Sequence, residues 1–214
     1  MILLVPVKGY FEENCYFYVD DATGHGFVID PGAQAEKLLQ TVRQRGWTIE
    51  KILLTHGHFD HMGAACELSQ ALGASIYAHE NAGAYLLDPV MNLSIHCGPA
   101  ITVPNAHALR DGDEVRLQAD LHFALRVLHT PGHTADSITL CSLRDGVAFV
   151  GDTIFRGSLG NYSYPGGNLH DLKESIAGRI FRLPEDTVLL SGHSAQTTVG
   201  EEKRHCRSSA FLMR

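Results

Sequence analysis

The chain has 214 residues, 44% hydrophobic and 19% charged, a composition that suits a globular protein with a sizeable core. Seventeen basic against 24 acidic residues give a formal net charge of −7, which argues against a binder of nucleic-acid phosphates, since that needs a basic patch. No apolar run approaches the roughly 20 residues that span a bilayer, and five scattered cysteines without a C-x-x-C pair read as reduced thiols, so the expectation is a cytoplasmic protein that meets no membrane.

From the N-terminus, "MILLVPVKGYFEEN" has a short apolar run, no basic leader and a proline at position 6, and reads as a first strand rather than a targeting segment. Strands are predicted at 2–7, 15–20 and 26–29, the last stopped by "DPG". Residues 33–45 carry helical spacing, with Leu38, Leu39 and Val42 on one face and Gly46 as the stop. "IEKILL" gives a strand, 62–72 a helix, 74–78 a short strand and 79–87 another helix. The segment 88–112, rich in Pro, Gly and Asn, reads as a long loop. Strands follow near 113–118, 121–128, 137–142 and 146–150, then a helix over 168–182, a strand at 187–190 and a helix at 198–206. No repeat or low-complexity linker divides this pattern. It suggests one α/β domain over 1–214, with two packed sheets and helices outside, a four-layer αβ/βα sandwich.

Four motifs sit at the ends of predicted strands: "THGHFDH" (55–61), "TPGHT" (130–134), "GDT" (151–153) and "SGHS" (191–194). Each follows an apolar run, and loops on a rigid scaffold commonly carry function. If those strands are neighbours pointing the same way, His56, His58, Asp60, His61, His133, Asp152 and His193 converge at one edge. Imidazole and carboxylate donors suit zinc, iron or manganese, and the absence of cysteine argues against a purely structural zinc knot. Seven side chains exceed the four that one tetrahedral ion takes, whereas two ions sharing one carboxylate accommodate them all. Two further residues are candidates for orienting these ligands: His129, just before the Pro-Gly turn, and Asp30 in "VIDPG", which reads equally well as a turn residue.

H-x-H-x-D-H followed by P-G-H-T, G-D-T and G-H at these separations resembles the metallo-β-lactamase superfamily over nearly the whole chain. Within it, "GDTIFRGSLGNYSYPGG" and "SGHSAQTTVGEEKR" are similar to the short glyoxalase II-like hydrolases of the hydroxyacylglutathione hydrolase type. The resemblance implies a binuclear centre of two divalent metal ions, zinc first and iron or manganese as alternatives. His56, His58 and His133 would bind one ion, Asp60, His61 and His193 the other, and Asp152 would bridge them. His61 directly after Asp60, and an aspartate where the best-known lactamases place cysteine, favour the glyoxalase-like branch.

The implied reaction is hydrolysis of a thioester, S-lactoylglutathione being the family's typical substrate, with metal-activated water attacking the carbonyl and Asp60 orienting it. Two departures concern the substrate. Only 21 residues follow His193, so the C-terminal helical region with which larger relatives hold glutathione is expected to be absent. Short relatives usually read Gly-Arg-Thr-Asp where this chain has Gly160-Asn161-Tyr162-Ser163, so substrate contacts are expected at Asn161 and Tyr162. The rivals are an iron-dependent persulfide dioxygenase on the same fold, a nuclease of the superfamily, disfavoured by the net charge, and a non-catalytic metal-binding module. The partner is expected to be a small glutathione-derived thioester, and the sequence gives no oligomeric state.

Overall fold

A computed structural model describes residues 1–208, so 209–214 of the expected domain lie outside the described residues. The chain opens with an antiparallel meander, β1 (Ile2–Lys8), β2 (Glu12–Val19) and β3 (His25–Ile29). Three parallel strands then extend the sheet: β4 (Thr48–Leu53), β5 (Ser75–His79) and β6 (His107–Leu109). Parallel neighbours need crossovers, and helices supply the first two of them. They are α1 (Ala35–Arg45), and the pair α2 (Phe59–Met62) and α3 (Ala65–Leu72). The first sheet therefore runs β1-β2-β3-β4-β5-β6.

The second sheet holds β7 (Glu114–Arg116), β8 (Ala124–His129), β9 (Ile138–Ser142), β10 (Val147–Gly151), β13 (Val188–Ser191) and β14 (Thr197–Thr198). Its order is β14-β13-β10-β9-β8-β7, and a two-stranded ribbon, β11 (Ile154–Phe155) with β12 (Ser158–Leu159), stands beside it. β10 and β13 are parallel and the other pairs antiparallel. α6 (Leu169–Gly178) and α7 (Val199–Ser208) belong to this half.

Strand alternation explains the layering. On β2, Cys15, Phe17 and Val19 join the apolar cluster with α1 and α3, while Tyr16 and Tyr18 face the second sheet, where Phe123, Leu125, Val127, Leu140 and Phe149 meet them. A third cluster joins Ala148 and Val150 of β10 to Leu172 and Ile176 of α6 and Val199 of α7. Three apolar interfaces make four layers, as the pattern predicts.

The differences have local causes. The first helix starts at Ala35 rather than 33 because Gln34 is left-handed (φ 56°), and Gly46 closes it in the same region (φ 66°). The predicted helix over 62–72 is broken at Gly63, where a Cβ would lie 2.3 Å from the Gly32 carbonyl oxygen; the break lets the 31–33 loop approach. The helix predicted over 168–182 is capped by the Asn168 side chain, ends at Gly178 and continues as a 3-10 turn, Ile180–Arg182. Segment 79–87 is a 3-10 turn, Glu80–Ala82, followed by one helical turn, α4 (Gly83–Leu86). The predicted loop 88–112 contains a further turn, α5 (Ser94–Cys97), and edge strand β6. Buried Asn92 holds it down, its amide donating to the carbonyls of Tyr85 (3.0 Å) and Ile101 (2.8 Å). No helix among the described residues is long and apolar enough to cross a membrane.

Candidate metal centre

The four motif-bearing strands are not all neighbours. β4 lies in the first sheet, and in the second β9 separates β8 from β10. The side chains still converge, because β8, β10 and β13 run the same way and the sheets are stitched together at this edge. The Ile138 amide donates to the Thr55 carbonyl (2.8 Å), the Tyr16 hydroxyl to the Ser191 carbonyl (2.7 Å) and the Asn14 amide side chain to the carbonyls of Ser191 (2.9 Å) and Ser194 (3.0 Å).

Four groups of three donors result among the described residues, each with its ligand atoms within 4.8 Å of one another: His56, His58 and His133; Asp60, His61 and His193; His56, His61 and Asp152; and Glu13, Asp30 and His61. Asp152 lies between the first two. Its carboxylate oxygens are 3.5 Å from His61 Nε2, 3.6 Å from His193 Nε2 and 3.7 Å from His133 Nε2. The first group is fully buried; in the second, Asp60 is half-buried and His193 opens to solvent.

The rings are oriented from behind. Nδ1 of His61 donates to Asp30 Oδ2 (3.0 Å), that of His133 to the Asn161 carbonyl (2.6 Å), that of His193 to the Glu12 carbonyl (2.6 Å) and that of His56 to Thr55 Oγ1 (3.1 Å). With Nδ1 donating outward, Nε2 of each ring points inward. His58 is turned the other way. Its Nδ1 faces His56 Nε2 at 3.1 Å and His133 Nε2 at 2.9 Å, while its own Nε2 has no hydrogen-bond partner. A proton on His58 Nδ1 can serve only one of these two nitrogens at a time, and Asp152 Oδ1 is buried without a partner. Nitrogen lone pairs and orphaned carboxylate oxygens aimed at shared points fit divalent cations.

The electrostatics divide the rings into a neutral set and one held towards its cationic form. Burial drives His56 far below the ordinary imidazole range, His58 down to about 3, and His133 down despite Asp152. These three are neutral at pH 7. Burial also opposes a charge on His61, but Asp152 and Asp30 outweigh it and raise that ring well above 6.5. Burial disfavours ionised Asp152, yet His61, His133 and His193 hold it well below the usual carboxylate range.

Asp30 justifies its earlier candidacy: it accepts from the Thr55 amide (2.7 Å) and hydroxyl (2.6 Å) and from His61, tying the start of "THGHFDH" to a ring at its end. His129 touches none of the seven. Its ring stacks on His79 (centroids 4.1 Å apart, 9° between planes) and donates to the Ala135 carbonyl (3.0 Å). Close approach explains Gly192: a Cβ there would lie 2.4 Å from His61 Cε1 and 2.6 Å from Asp152 Oδ1. Gly151 has both reasons: a Cβ there would lie 2.3 Å from Thr55 Oγ1, and its φ of 50° turns Asp152 inward.

A groove of about 210 Å³ opens over the centre, with Phe11, Leu93, Phe155, Asn161 and Tyr164 among its walls and no lysine or arginine. Tyr164 presents its ring edge-on to His58, centroids 5.6 Å apart. Tyr162, where a substrate contact is expected, is not among the residues lining this groove, whereas Asn161 and Tyr164 are. The Asn161 side chain accepts from the amide and hydroxyl of Ser163 (2.9 and 2.7 Å), and its main-chain carbonyl orients His133. Phe11, Leu93 and Phe155 carry no motif signal, since lone apolar residues in turns and two-residue strands look alike in a sequence.

A family model described as the metallo-beta-lactamase superfamily matches residues 9–193. The chain belongs to that superfamily. It is 34% identical over 214 residues to the hydroxyacylglutathione hydrolase GloC of Haemophilus influenzae, covering 99% of this chain and 97% of that protein. Among solved structures, the BLEG-1 B3 metallo-beta-lactamase is 33% identical with a TM-score of 0.89, over 96% of this chain and 97% of that one. A structure of TTHA1623 in a di-iron-bound form is also 33% identical, with a TM-score of 0.82 over 95% and 98% of the two chains. The superfamily fold and a His/Asp cluster able to hold metal stand on these likenesses together with the geometry.

Proposed function

We propose that this chain is a metal-dependent thioester hydrolase acting on a hydroxyacylglutathione, S-lactoylglutathione being the substrate to try first. The observation that carries the reading is the pair of three-donor groups on either side of Asp152, at the base of an open groove. His56, His58 and His133 would hold one divalent ion, Asp60, His61 and His193 a second, with Asp152 shared between them. When bound, such ions supply Lewis acidity and bring the pKa of water from 15.7 towards about 7. Zinc suits this donor set, and the di-iron form of a relative makes iron the second metal to load.

The chain's own groups supply position. Asp60, held below the ordinary carboxylate range against its burial by His193, stays ionised and can accept a hydrogen bond from the attacking water. Tyr164 and Phe155 wall the groove over the centre. A thiol leaving group has a pKa of roughly 8.5, so it departs as thiolate without a dedicated acid. That suits a groove whose walls carry no lysine or arginine. A cytoplasmic setting agrees with Cys15, Cys66, Cys97 and Cys141, none of which forms a disulfide.

The test is hydrolysis of S-lactoylglutathione and a panel of glutathione thioesters by zinc- and iron-loaded protein, with a chelator control. Turnover abolished by chelation is expected. No turnover of any glutathione thioester by fully loaded protein would remove the substrate assignment. A second reading, opening of a β-lactam ring, is favoured by the 0.89 TM-score to BLEG-1. Its amine leaving group needs a proton that a thiolate does not, so a chromogenic cephalosporin is expected to turn over far more slowly than the thioester.

A further inference from the structure

The ribbon β11–β12 borders the groove and is too small to hold itself. It has two residue pairs, Ile154 with Leu159 and Phe155 with Ser158, closed by the turn Arg156–Gly157. A hairpin of that size is marginal alone, so whatever grips it sets the place of what it carries. It carries two things to the centre. Phe155 is a groove wall, its ring centroid 6.3 Å from that of His193. Directly after β12, the Asn161 carbonyl accepts from His133 Nδ1 (2.6 Å), and Gly160 lies so close that a Cβ there would be 1.7 Å from the Asp152 carbonyl oxygen.

Much of the grip comes from α7 and the turn before it. Ile154 is buried in the apolar cluster that holds Val199, with Leu159 packed against it. The turn itself is tied by two amides: that of Arg156 donates to Ser194 Oγ (3.0 Å) and that of Gly157 to Glu202 Oε2 (3.0 Å). Glu202 is 3% exposed, and its other oxygen accepts from the Thr197 hydroxyl (2.6 Å). A buried carboxylate is costly unless its oxygens are satisfied, and here the Gly157 amide is one of the two donors that satisfy them. Moving the turn away would leave that oxygen unpaired, so the ribbon is held in one place. The neighbouring Glu201 is exposed and meets the same Thr197 hydroxyl (3.0 Å).

We propose that Glu202 is a positioning residue for the groove: through the Gly157 amide it sets the ribbon, and through the ribbon the Phe155 wall and the Asn161 carbonyl. A carboxylate on α7 thereby tunes substrate affinity through the backbone of a turn. The role belongs to the same site as the hydrolase reading and rests on it only for the kinetic measurement.

Hydrogen exchange on the metal-loaded full chain reads the tie directly. The Gly157 amide is expected to be protected in the parent and to exchange about tenfold faster or more in Glu202→Ala, with the Leu140 amide of β9 unchanged. Glu202→Gln keeps the protection, because its amide oxygen accepts from Gly157 while its NH2 group donates to Thr197. Kinetics read the consequence: Glu202→Ala is expected to raise KM for the thioester roughly two- to tenfold, the worth of one aromatic contact, with kcat within about twofold. Glu202→Gln restores the parent KM, and Glu201→Ala leaves it unchanged. A purely structural role would lower Tm and leave KM where it is. That result, a Gly157 amide that exchanges freely in the parent, or a Glu202→Gln as impaired as Glu202→Ala overturns the proposal. Should Glu202→Ala fail to fold, Glu202→Asp, which keeps the charge but shortens the reach, is held to the same rise in KM. If neither parent nor variants turn over any thioester, the hydrolase reading falls and the exchange of Gly157 still decides the role of Glu202.

Discussion

The first sheet brings four of the seven converging side chains to the centre from one short stretch after β4, whereas the second brings three, one each from the ends of β8, β10 and β13. Each of the two groups beside Asp152 draws on both sheets. His56 and His58 need His133 from across the interface, Asp60 and His61 need His193, and Asp152 touches both groups. The contiguous half is thus a chelating loop waiting for a closing residue, and the dispersed half supplies closure. A bound ion would tie the two sheets together, so occupancy and stability are linked.

Removing the shared carboxylate is the most direct way to break that symmetry. Asp152→Ala is expected to lower kcat/KM for the thioester on the order of 10³-fold or more, about 4 kcal/mol of transition-state stabilisation. Metal analysis should show fewer bound equivalents than in the parent. Chelation of the parent should lower its Tm, and lower that of Asp152→Ala by less. Full metal content with unchanged turnover in Asp152→Ala would end the two-ion assignment.

Next comes a contact between the two contributions. Asp136, in the turn before β9, is fully buried against the His56–His58 turn: a Cβ on Gly57 would lie 3.3 Å from its Oδ2. No donor reaches either oxygen in good hydrogen-bonding geometry, though the Thr134 hydroxyl and the Gly57 amide stand close enough to pull weakly. Burial pushes its carboxyl up to about 7 against those pulls. The unfolded chain loses this proton near 3.8 and the folded chain near 7, so between them the folded state binds more protons. The stability held below the lower value falls as pH rises through the upper one, by about 4 kcal/mol at most. Asp136→Asn, neutral throughout, is expected to gain on the parent across that window, as read by urea unfolding of chelated protein at pH 4 to 8. Parallel curves would show that the carboxyl titrates normally.

The orienting contacts give a smaller effect. Asp30 couples the start and end of the contiguous loop, through Thr55 and His61. Asp30→Asn keeps its shape but loses the charge that opposes the His61 proton, and is expected to cost 10- to 100-fold in metal affinity. Competition with a chromogenic chelator measures it. An affinity within twofold of the parent would reduce Asp30 to a turn residue.

The same division between contiguous and dispersed explains what was legible in the sequence. His56 to His61 stand out because four ligand-type residues crowd one turn, and the apolar runs before each motif expose the strand ends that carry them. The four layers follow from alternation such as Cys15–Phe17–Val19 against Tyr16–Tyr18. Harder to read was the strand order, which places β9 between β8 and β10, because pairing partners leave no mark on a single strand. The short strands β6, β11, β12 and β14 were missed, since two or three residues carry no period. Backbone contacts that depend on distant chain, such as Asn161 to His133 or Glu12 to His193, involve carbonyls that every residue type offers.

The groove is where dispersed contributions matter most and sequence reasoning helps least. Tyr162 and Tyr164 are close in sequence and nearly equally exposed, 41% and 38%, yet Tyr164 alone of the two lines the groove and meets the rings of His58 and His133. An aromatic contact of this kind contributes about 0.5–1.5 kcal/mol, which converts to roughly two- to tenfold in affinity. Tyr164→Ala is accordingly expected to raise KM by about that factor and leave kcat within about twofold, the mark of an interaction felt equally by substrate and transition state. Tyr162→Ala should move neither constant. The opposite outcome, a KM governed by Tyr162, would mean that the 160–167 segment closes over the substrate in another register, with Asn161 and Tyr162 as the first contacts after all. An equal loss in both variants would instead assign the segment to shaping the groove, with no aromatic contact to a bound acyl group.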